Sequence, residues 1–450
     1  MPSRRFALSA PQVIALSFAL LVLIGGLLLS LPMAAADGQS VSYLDALFTA
    51  TSAICVTGLI VVDTPVAFST FGHTIILLLI QIGGLGYMSI STILAAAIGR
   101  SISLQERLTL QEALNVQNLE GVVRFTLTVL KLTLAFELAG AVVLAARWWP
   151  EYGTSAIWLA VFHSVSAFNN AGFALWSDSL MRWRGDVTVN VVITALITAG
   201  GLGFFVIAEL MALRRRRARL SVHTRIVLAA SAVLSIGGAT AFLILESYNP
   251  RTLGGLPAGE RVLAAWFQSV TARTAGYNTI NIGQMTQAGL FITMALMFIG
   301  ASPGGTGGGV KTSTFSLTVA ALWATVRGDN EPHLFKRRIS TETIGKAFFV
   351  CLIAFLAVNA VAGVLLISEG RTLMATLFET TSAFGTVGLS MSEGGRPISL
   401  VGLFTPVGKI MMMLMMFVGR VGPLTLALAL AHRASVTPKI RYPEGKVLIG

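Results

Sequence analysis

Long apolar stretches recur along the whole chain and constrain its fold more than any other feature. A helix needs roughly 20 mostly apolar residues to cross a bilayer. Of the 450 residues, 54% are hydrophobic and 12% are charged, whereas a soluble domain has about 25% charged residues. The sequence therefore predicts an all-α polytopic membrane protein. Eight apolar segments long enough to span fall near residues 11–31, 72–98, 122–146, 187–212, 222–246, 286–325, 343–367 and 404–432.

The first of these segments resembles a secretory signal, because Arg4 and Arg5 precede an apolar run that ends in small residues. The apolar run extends from Val13 to about Leu31, which exceeds the roughly 7–15 residues of a signal h-region. We therefore expect a retained first helix rather than a cleaved leader.

Arginine and lysine are distributed unevenly among the connecting segments. With a cytoplasmic N-terminus, the cytoplasmic segments hold 20 of the 32 basic residues, while the outer loops hold 8 and the spans hold 4. This bias follows the positive-inside rule and predicts that both termini are cytoplasmic. The net charge of +12 then reflects topology and contact with anionic lipids, and no nucleic-acid partner is expected.

Shorter half-apolar segments lie between the spans, near residues 42–54, 155–169, 260–272 and 371–384. They are too short to span and are typical of re-entrant elements. They lead into four related sequences, FTATSAICVTGL, FHSVSAFNNAGF, FQSVTARTAGY and FETTSAFGTVGL. Each contains a phenylalanine, a Ser/Thr pair at a spacing of two, an alanine, and a glycine followed by an apolar residue. These glycines recur roughly every 110 residues, at Gly58, Gly172, Gly276 and Gly388.

The repeat predicts four tandem helix–pore-loop–helix units in a pseudo-fourfold, potassium-channel-like arrangement. We expect repeat 1 at residues 1–99, repeat 2 at 100–220, repeat 3 at 221–327 and repeat 4 at 328–450, the last with a C-terminal tail. Extended backbone at membrane depth is tolerated only around a water-filled cavity. Four glycine loops around one axis could aim carbonyl oxygens inward and replace the hydration shell of a cation.

A plainer interpretation is that the loops are tight turns with glycines at helix-packing contacts, since small residues are enriched there. We adopt that interpretation for QIGGLGYMS at 81–89 and AGGLGFF at 199–205.

Several motifs together resemble the Trk/Ktr/HKT superfamily of potassium transporters. They are CVTGL, FNNAGF, TARTAGYNT, SAFGTVGLS, FIGASPGGTGGGVKTSTF and FVGRVGPLT. The resemblance covers nearly the whole chain and is closest to the membrane subunits of Ktr systems, which have eight spans. It implies a potassium filter of twelve residues. They are Val56, Thr57, Gly58, Asn170, Ala171, Gly172, Thr274, Ala275, Gly276, Thr386, Val387 and Gly388.

Only the fourth loop keeps the Thr-Val-Gly order of a potassium channel, and none has the second glycine of a full TVGYG loop. We therefore expect softer selectivity than that of a channel.

The segment GASPGGTGGGVKTST at 300–314 interrupts a predicted span. Its glycines and proline disfavour a helix, so at membrane depth it must line a cavity. It is not a Walker A loop, because Val310 rather than glycine precedes Lys311. The resemblance implies that residues 300–310 form a mobile gate below the filter. The expected gate residues are Gly304, Gly305, Gly307, Gly308, Gly309, Lys311 and the intramembrane Arg420.

The resemblance also implies a homodimer on a cytosolic ring of nucleotide-binding RCK subunits, with no cofactor in this chain. The leading expectation is gated potassium uptake at the cell membrane. Sodium-dependent or sodium-selective transport by the same architecture remains open. A membrane enzyme is the remote alternative, because the sequence has no HExxH motif, and its five histidines show no metal-ligand spacing.

Overall fold

The computed structural model describes residues 10–86, 122–214, 220–328, 332–393 and 396–430. Within these residues the chain is almost entirely helical, and a first helix, a pore helix and a second helix follow one another four times. This order confirms the predicted fold class of tandem helix–pore-loop–helix repeats. The expected repeat boundary at 99 lies outside the described residues. The boundary at 220 falls in the connection between two helices, and that at 327 coincides with the last residue of the helix Thr312–Arg327.

The first helices are long and apolar: Ala10–Leu29, Val122–Tyr152, Val222–Glu246 and Thr341–Glu369. In the described part of the chain, these are the four single helices long and apolar enough to cross a membrane. Only 22–39% of their most apolar windows is buried within the protein. Their remaining apolar surface suits contact with lipid chains.

The pore helices have 12–14 residues each and are buried along most of their length: Tyr43–Ile54, Ser155–Phe168, Ala258–Thr271 and Leu373–Gly385. Each stops where the predicted filter begins. A helix C-terminus carries partial negative charge, so four such ends directed at one region favour a cation there.

The second helices are shorter than the predicted spans, with 13–16 residues: Thr70–Leu85, Val187–Leu202, Gln287–Ile299 and Pro406–Val421. Three of them continue after a break, as Phe204–Arg214, Thr312–Arg327 and Pro423–Leu430. Residues 187–212 and 404–432 were each predicted as one span, and the structure divides each of them into two helices. The break at Gly203 bends the chain by 100°.

In repeats 2, 3 and 4, the C-terminal end of the first helix is tied to the start of the second helix. The N-cap residues are Ser69, Asp186, Thr286 and Thr405, and each side chain accepts a hydrogen bond from the first turn. Glu246 accepts hydrogen bonds from the backbone N–H and hydroxyl of Thr286, at 2.8 and 2.7 Å. Glu369 binds Thr405 in the same way, at 2.9 and 2.7 Å. In repeat 2 the pair is Arg147 with Asp186, at 2.5 Å.

Short elements complete the connections. The 3₁₀ helices are Pro32–Ala34, Met181–Trp183, Ile282–Gln284 and Leu400–Leu403, and a four-residue α-helix spans Thr64–Ala67. Strands His333–Leu334 and Arg337–Arg338 form an antiparallel hairpin between repeats 3 and 4, with His333 opposite Arg338.

The repeats close into a ring. The second helix of repeat 4 packs on the pore helix of repeat 1, and Ala10–Leu29 packs on Pro423–Leu430. Buried apolar clusters also join neighbouring repeats, as where Phe48 of repeat 1 shares a cluster with Phe384 of repeat 4. The first and last repeats are therefore neighbours, as a pseudo-fourfold arrangement requires.

Candidate functional site

The four pore loops meet at their glycines. A Cβ placed on Gly58 would lie 2.5 Å from the carbonyl oxygen of Ala171, and one on Gly172 would lie 2.6 Å from that of Ala275. Gly276 faces the carbonyl of Val387, and Gly388 faces that of Thr57, at still closer approach. The series runs through repeats 1, 2, 3 and 4 and returns to 1. Any side chain at these glycines would displace a carbonyl of the neighbouring loop.

The backbone of each loop alternates in handedness. The first predicted filter residue has positive φ in every repeat: 56° at Val56, 61° at Asn170, 69° at Thr274 and 48° at Thr386. The third residue, glycine, also has positive φ, between 70° and 91°. Positive φ is costly for residues with a Cβ, so this conformation persists only where the surroundings enforce it. Residues of alternating hand turn successive carbonyl groups to the same side of the chain.

Hydroxyl residues of the pore helices hold the loops in two ways. In repeats 1 and 4, the Ser52 and Ser382 hydroxyls accept hydrogen bonds from the N–H of Gly58 and Gly388, at 3.0 and 3.1 Å. In repeats 2 and 3, Ser166 and Thr271 instead donate to the carbonyl after the glycine, at 2.9 and 2.6 Å. The accepting carbonyls belong to Phe173 and Tyr277.

A cavity of about 410 Å³ lies against the outer end of the loops and is lined by all four filter glycines. Its charged lining residues are Asp63, Asp178 and Arg396. Partial burial raises the pKa of the Asp63 carboxyl above its usual value, while the hydrogen bond from the Ser177 hydroxyl, at 2.6 Å, opposes that rise. A cation in this cavity would face two carboxylates before it reaches the glycines.

The glycine-rich segment 300–311 lies against the opposite, inner end of the loops. Thr306 Oγ1 is 3.0 Å from Asn170 Oδ1. A Cβ on Gly308 would lie 2.5 Å from Thr386 Oγ1, and one on Gly307 would overlap Thr274 Oγ1. The segment thus contacts the first filter residue of three repeats. It therefore lies directly beneath the ring of loops.

Backbone hydrogen bonds fix this segment to the break in repeat 2. The N–H groups of Ser302 and Thr306 donate to the carbonyls of Gly201 and Gly200, at 2.9 and 3.1 Å. In return, the Phe204 N–H donates to the carbonyl of Gly304, at 3.0 Å. The chain bend of repeat 2 and the glycine-rich segment are therefore one bonded unit.

Two basic side chains hold the segment further. Arg420 donates hydrogen bonds to the carbonyls of Thr306 and Gly83, and to that of Gly84 at 3.3 Å. Lys311 curls back and donates to the carbonyl of Gly307. The structure thus brings all the predicted gate residues to one place, with Gly304, Gly305 and Gly309 in the backbone of the same segment. It also shows contacts with Gly83 and Gly200 that the sequence did not predict.

The glycine pairs that were interpreted as packing contacts have a second role. Gly83 and Gly200 do pack closely, against the carbonyls of Ile54 and Phe168. The glycines that follow each pair end the helix, with φ of 80° at Gly86 and 93° at Gly203. Equivalent breaks occur at Lys311 and Gly422, with φ of 84° and 92°. A four-residue pattern in the sequence marks these positions. It reads GGLG at 83–86 and 200–203, GGVK at 308–311 and GRVG at 419–422.

One of the eight basic residues that the sequence assigns to the outer loops is Arg273, and the structure corrects its environment. Its side chain is 9% exposed and lies against the first helix of repeat 3. It donates to the Ser231 carbonyl at 3.2 Å and to the Ser235 hydroxyl at 3.1 Å. Arg273 directly precedes Thr274, so the loop begins with a cation turned away from the ring.

Comparisons with known proteins agree with this architecture. The protein is a polytopic helical membrane protein of the cation-transport class, with four pore loops around one axis. The TrkH cation transport protein family model matches residues 5–436, and the chain belongs to that family.

The chain is 41% identical to Ktr system potassium uptake protein B of Bacillus subtilis, over 98% of this chain and 96% of that protein. It is 40% identical to the protein of the same name from Vibrio alginolyticus, over 98% and 95%. Identity to the potassium/sodium uptake protein NtpJ of Enterococcus hirae is 38%, over 99% and 98%. These names argue against a membrane enzyme.

The fold is similar to that of the potassium transporter TrkH from Vibrio parahaemolyticus, with a TM-score of 0.72 at 16% identity. The match covers 96% of this chain and 86% of that structure. It supports the tandem pore-loop fold.

Proposed function

We propose that this chain is the ion-translocating membrane subunit of a potassium uptake system, in which K+ passes through the ring of four pore loops. The closed series of approaches between glycines and neighbouring carbonyls carries this proposal. Carbonyl rings of this kind replace the hydration shell of K+. Two relatives named as potassium uptake proteins support K+ as the transported ion.

The proposed filter is unequal around its axis. Thr386-Val387-Gly388 alone has the channel-like sequence, while the other three loops place Val-Thr, Asn-Ala and Thr-Ala before their glycines. Fewer constrained carbonyl rings should give a weaker preference for K+ over Na+. Sodium-dependent or sodium-selective transport is the second candidate, and a relative named for both ions favours it.

The proposed gate is the glycine-rich segment together with Lys311 and Arg420. Support comes from the position of the segment beneath Asn170, Thr274 and Thr386 and from its attachment to helix breaks rather than to continuous helices. A segment with few side chains can move aside without disturbing a packed core. Two cations beside the path would also raise the barrier to cation entry.

The proposed assembly is a homodimer in the cell membrane, with both termini cytoplasmic and a ring of RCK-type subunits bound on that side. The relatives are named as parts of a Ktr system, which supports a partner component. Any regulatory nucleotide would bind the partner, and the basic cytoplasmic segments would face anionic lipids.

The test is potassium uptake by a cell that lacks its own uptake systems, with this chain expressed alone and with an RCK subunit. We expect uptake of K+ in preference to Na+, and stimulation by the partner. Uptake that follows Na+ and ignores K+ would instead support the second candidate. Absence of any ion flux, with the protein present in the membrane, would refute transport.

A further inference from the structure

A buried polar residue follows the shared phenylalanine in each pore helix, and the proposed filter does not account for it. The four residues at this position are Thr49, His163, Gln268 and Glu379. None is more than 1% exposed. Burial of a polar side chain is costly unless it is hydrogen-bonded, so each of them needs a physical reason.

Two of the four reach the same backbone atom of their own loop. His163 Nε2 accepts a hydrogen bond from the N–H of Leu175, at 3.3 Å. Glu379 Oε1 accepts one from the N–H of Met391, at 2.9 Å. Both donors lie three residues after the filter glycine. The two residues belong to repeats 2 and 4, which lie opposite each other in the ring.

The tautomer of His163 suits this contact. Nδ1 lies 2.7 Å from the carbonyl oxygen of Leu159, which can only accept, so Nδ1 carries the proton. Nε2 is then an acceptor for Leu175. The imidazole ring is also stacked on Trp176, with ring centroids 4.4 Å apart, and Trp176 lines the outer cavity.

The residues at this position in repeats 1 and 3 do not support their loops. The Thr49 hydroxyl donates to the carbonyl of Asp45 in its own helix, at 2.8 Å. Neither amide atom of Gln268 has a hydrogen-bond partner in the described ranges. The outer ends of these two loops must be held by something else.

Loop 1 is held by repeat 4. Ile60, two residues after Gly58, makes two hydrogen bonds with Ser399. The Ile60 N–H donates to the Ser399 hydroxyl at 3.0 Å, and the Ser399 N–H donates to the Ile60 carbonyl at 2.9 Å. The adjacent Leu400 N–H donates to Ser390 Oγ at 2.8 Å, and that hydroxyl donates to Glu379 Oε1 at 2.6 Å. Glu379 therefore anchors loop 4 directly and loop 1 through Ser390.

Loop 3 is held by repeat 2 in a corresponding way. The Tyr277 hydroxyl donates to the carbonyl of Phe173 at 3.0 Å. Asn278 accepts from the N–H of Leu180 at 3.1 Å and donates from its own N–H to the Ser179 hydroxyl at 3.3 Å. The hydroxyl contacts of the loops fall into the same two pairs. Ser52 and Ser382 accept hydrogen bonds in loops 1 and 4, whereas Ser166 and Thr271 donate them in loops 2 and 3.

We propose that Glu379 and His163 are positioning residues that set the outer ends of the four loops in two pairs. Glu379 acts on loops 4 and 1, and His163 acts on loop 2, to which loop 3 is hydrogen-bonded. This inference rests on the proposed function of the loops as a cation filter. Discrimination between ions of different size depends on how firmly the carbonyl oxygens are held, so loss of an anchor lowers selectivity before it lowers flux.

The test measures the ratio of K+ to Na+ uptake in vesicles reconstituted with purified full-length protein. Glu379→Ala removes the acceptor shared by Met391 and Ser390, so it should lower the ratio by about tenfold with K+ flux retained. Glu379→Gln keeps an Oε1 acceptor for Ser390 and Met391 and should restore most of the ratio. Thr49→Val is the matched control and should leave the ratio unchanged.

If Glu379 only stabilised the fold, its substitution would change the amount of active protein. The ratio of K+ to Na+ uptake would then equal that of the native chain in both Glu379→Ala and Glu379→Gln. That result would overturn the inference. If Glu379→Ala does not reach the membrane, Ser390→Ala removes only the link to loop 1, and an unchanged ratio there would also overturn it. If the native chain itself shows no ion discrimination, the proposed function fails instead.

Discussion

At the scale of single residues, there is a specific reason why glycine occupies positions 58, 172, 276 and 388. The space where each Cβ would lie is taken by a carbonyl oxygen of the next loop. Glycine at these positions therefore does more than permit positive φ. It lets four separate segments approach closely, as the proposed carbonyl ring requires.

Arg420 gives the first prediction. Its guanidinium binds carbonyls of Thr306 and Gly83 and so joins the glycine-rich segment to the second helix of repeat 1. Arg420→Gln should weaken this link and raise K+ flux several-fold without the RCK partner. Lysine offers a single point charge instead of a planar guanidinium, so the K+ flux of Arg420→Lys should lie between those of the native chain and Arg420→Gln.

The control for this prediction is Arg327→Gln, which removes an arginine at the end of the helix Thr312–Arg327. That guanidinium lies over the Trp323 ring, 5.0 Å from its centroid, and takes no part in the segment. Unregulated flux from Arg327→Gln should match that of the native chain. Equal flux from Arg420→Gln and the native chain would argue against a gate at this site.

The positions of some of these residues could be predicted from the sequence, and those of others could not. The filter glycines were predictable because the motif around them occurs four times. The buried position of Arg273 was not, because its neighbours in sequence resemble an outer loop and its partners, Ser231 and Ser235, are about 40 residues away. Side-chain direction in an irregular loop depends on such distant contacts.

At the scale of elements, the breaks in the second helices matter most. The runs around Gly86, Gly203 and Gly422 are apolar enough for continuous spans, and hydropathy alone does not distinguish a bent span from a straight one. The decisive contact is tertiary, since the carbonyls of Gly200 and Gly201 accept hydrogen bonds from the glycine-rich segment. The interruption at 300–311 was predictable, because its glycines and proline disfavour a helix by themselves.

Gly203→Ala tests whether the bend and the gate act together. Gly203 has φ of 93°, and a Cβ there would lie 2.5 Å from the carbonyl of Pro303. The substitution should displace the glycine-rich segment and raise flux without the partner. Gly237→Ala is the control, because a Cβ there would meet nothing within 4 Å. The coupling would be disproved by native flux and native thermal stability in Gly203→Ala.

Glu246 tests the ties between first and second helices. Its carboxylate is fully buried and accepts hydrogen bonds from Thr286, Asn249 and Thr252. Glu246→Ala leaves the buried Thr252 hydroxyl unpaired, at about 1–3 kcal/mol, and the part-buried donors of Thr286 and Asn249 with water as their only replacement, so the melting temperature in detergent should fall by several degrees. As the control, Glu151→Ala removes an exposed partner of Arg147, 3.5 Å away, and should change the melting temperature little. Equal melting temperatures would show that the tie does not stabilise the fold.

At the scale of the whole molecule, one unit repeated four times has become unequal in each copy. The ring closes because repeat 4 packs on repeat 1, and its loops are held in two pairs. The glycine-rich interruption occurs in one repeat but contacts the loops of three. If the segment is the proposed gate, this asymmetry would let one segment control a path that four repeats build. The sequence predicts the fourfold order, whereas the pairing depends on contacts between repeats that hydropathy and motif spacing do not contain.

In the proposed filter, all four glycines contribute equally necessary parts of one carbonyl ring. The most direct measurement is the ratio of K+ to Na+ uptake in reconstituted vesicles for Gly58→Ser, Gly172→Ser, Gly276→Ser and Gly388→Ser, with Gly237→Ser as the control. Loss of ~1.4 kcal/mol of preference for K+ is a tenfold change, and we expect each of the four to lower the ratio by about that factor or more. The control should keep the native ratio. A loss confined to Gly388→Ser, or no loss in any of the four, would contradict the account.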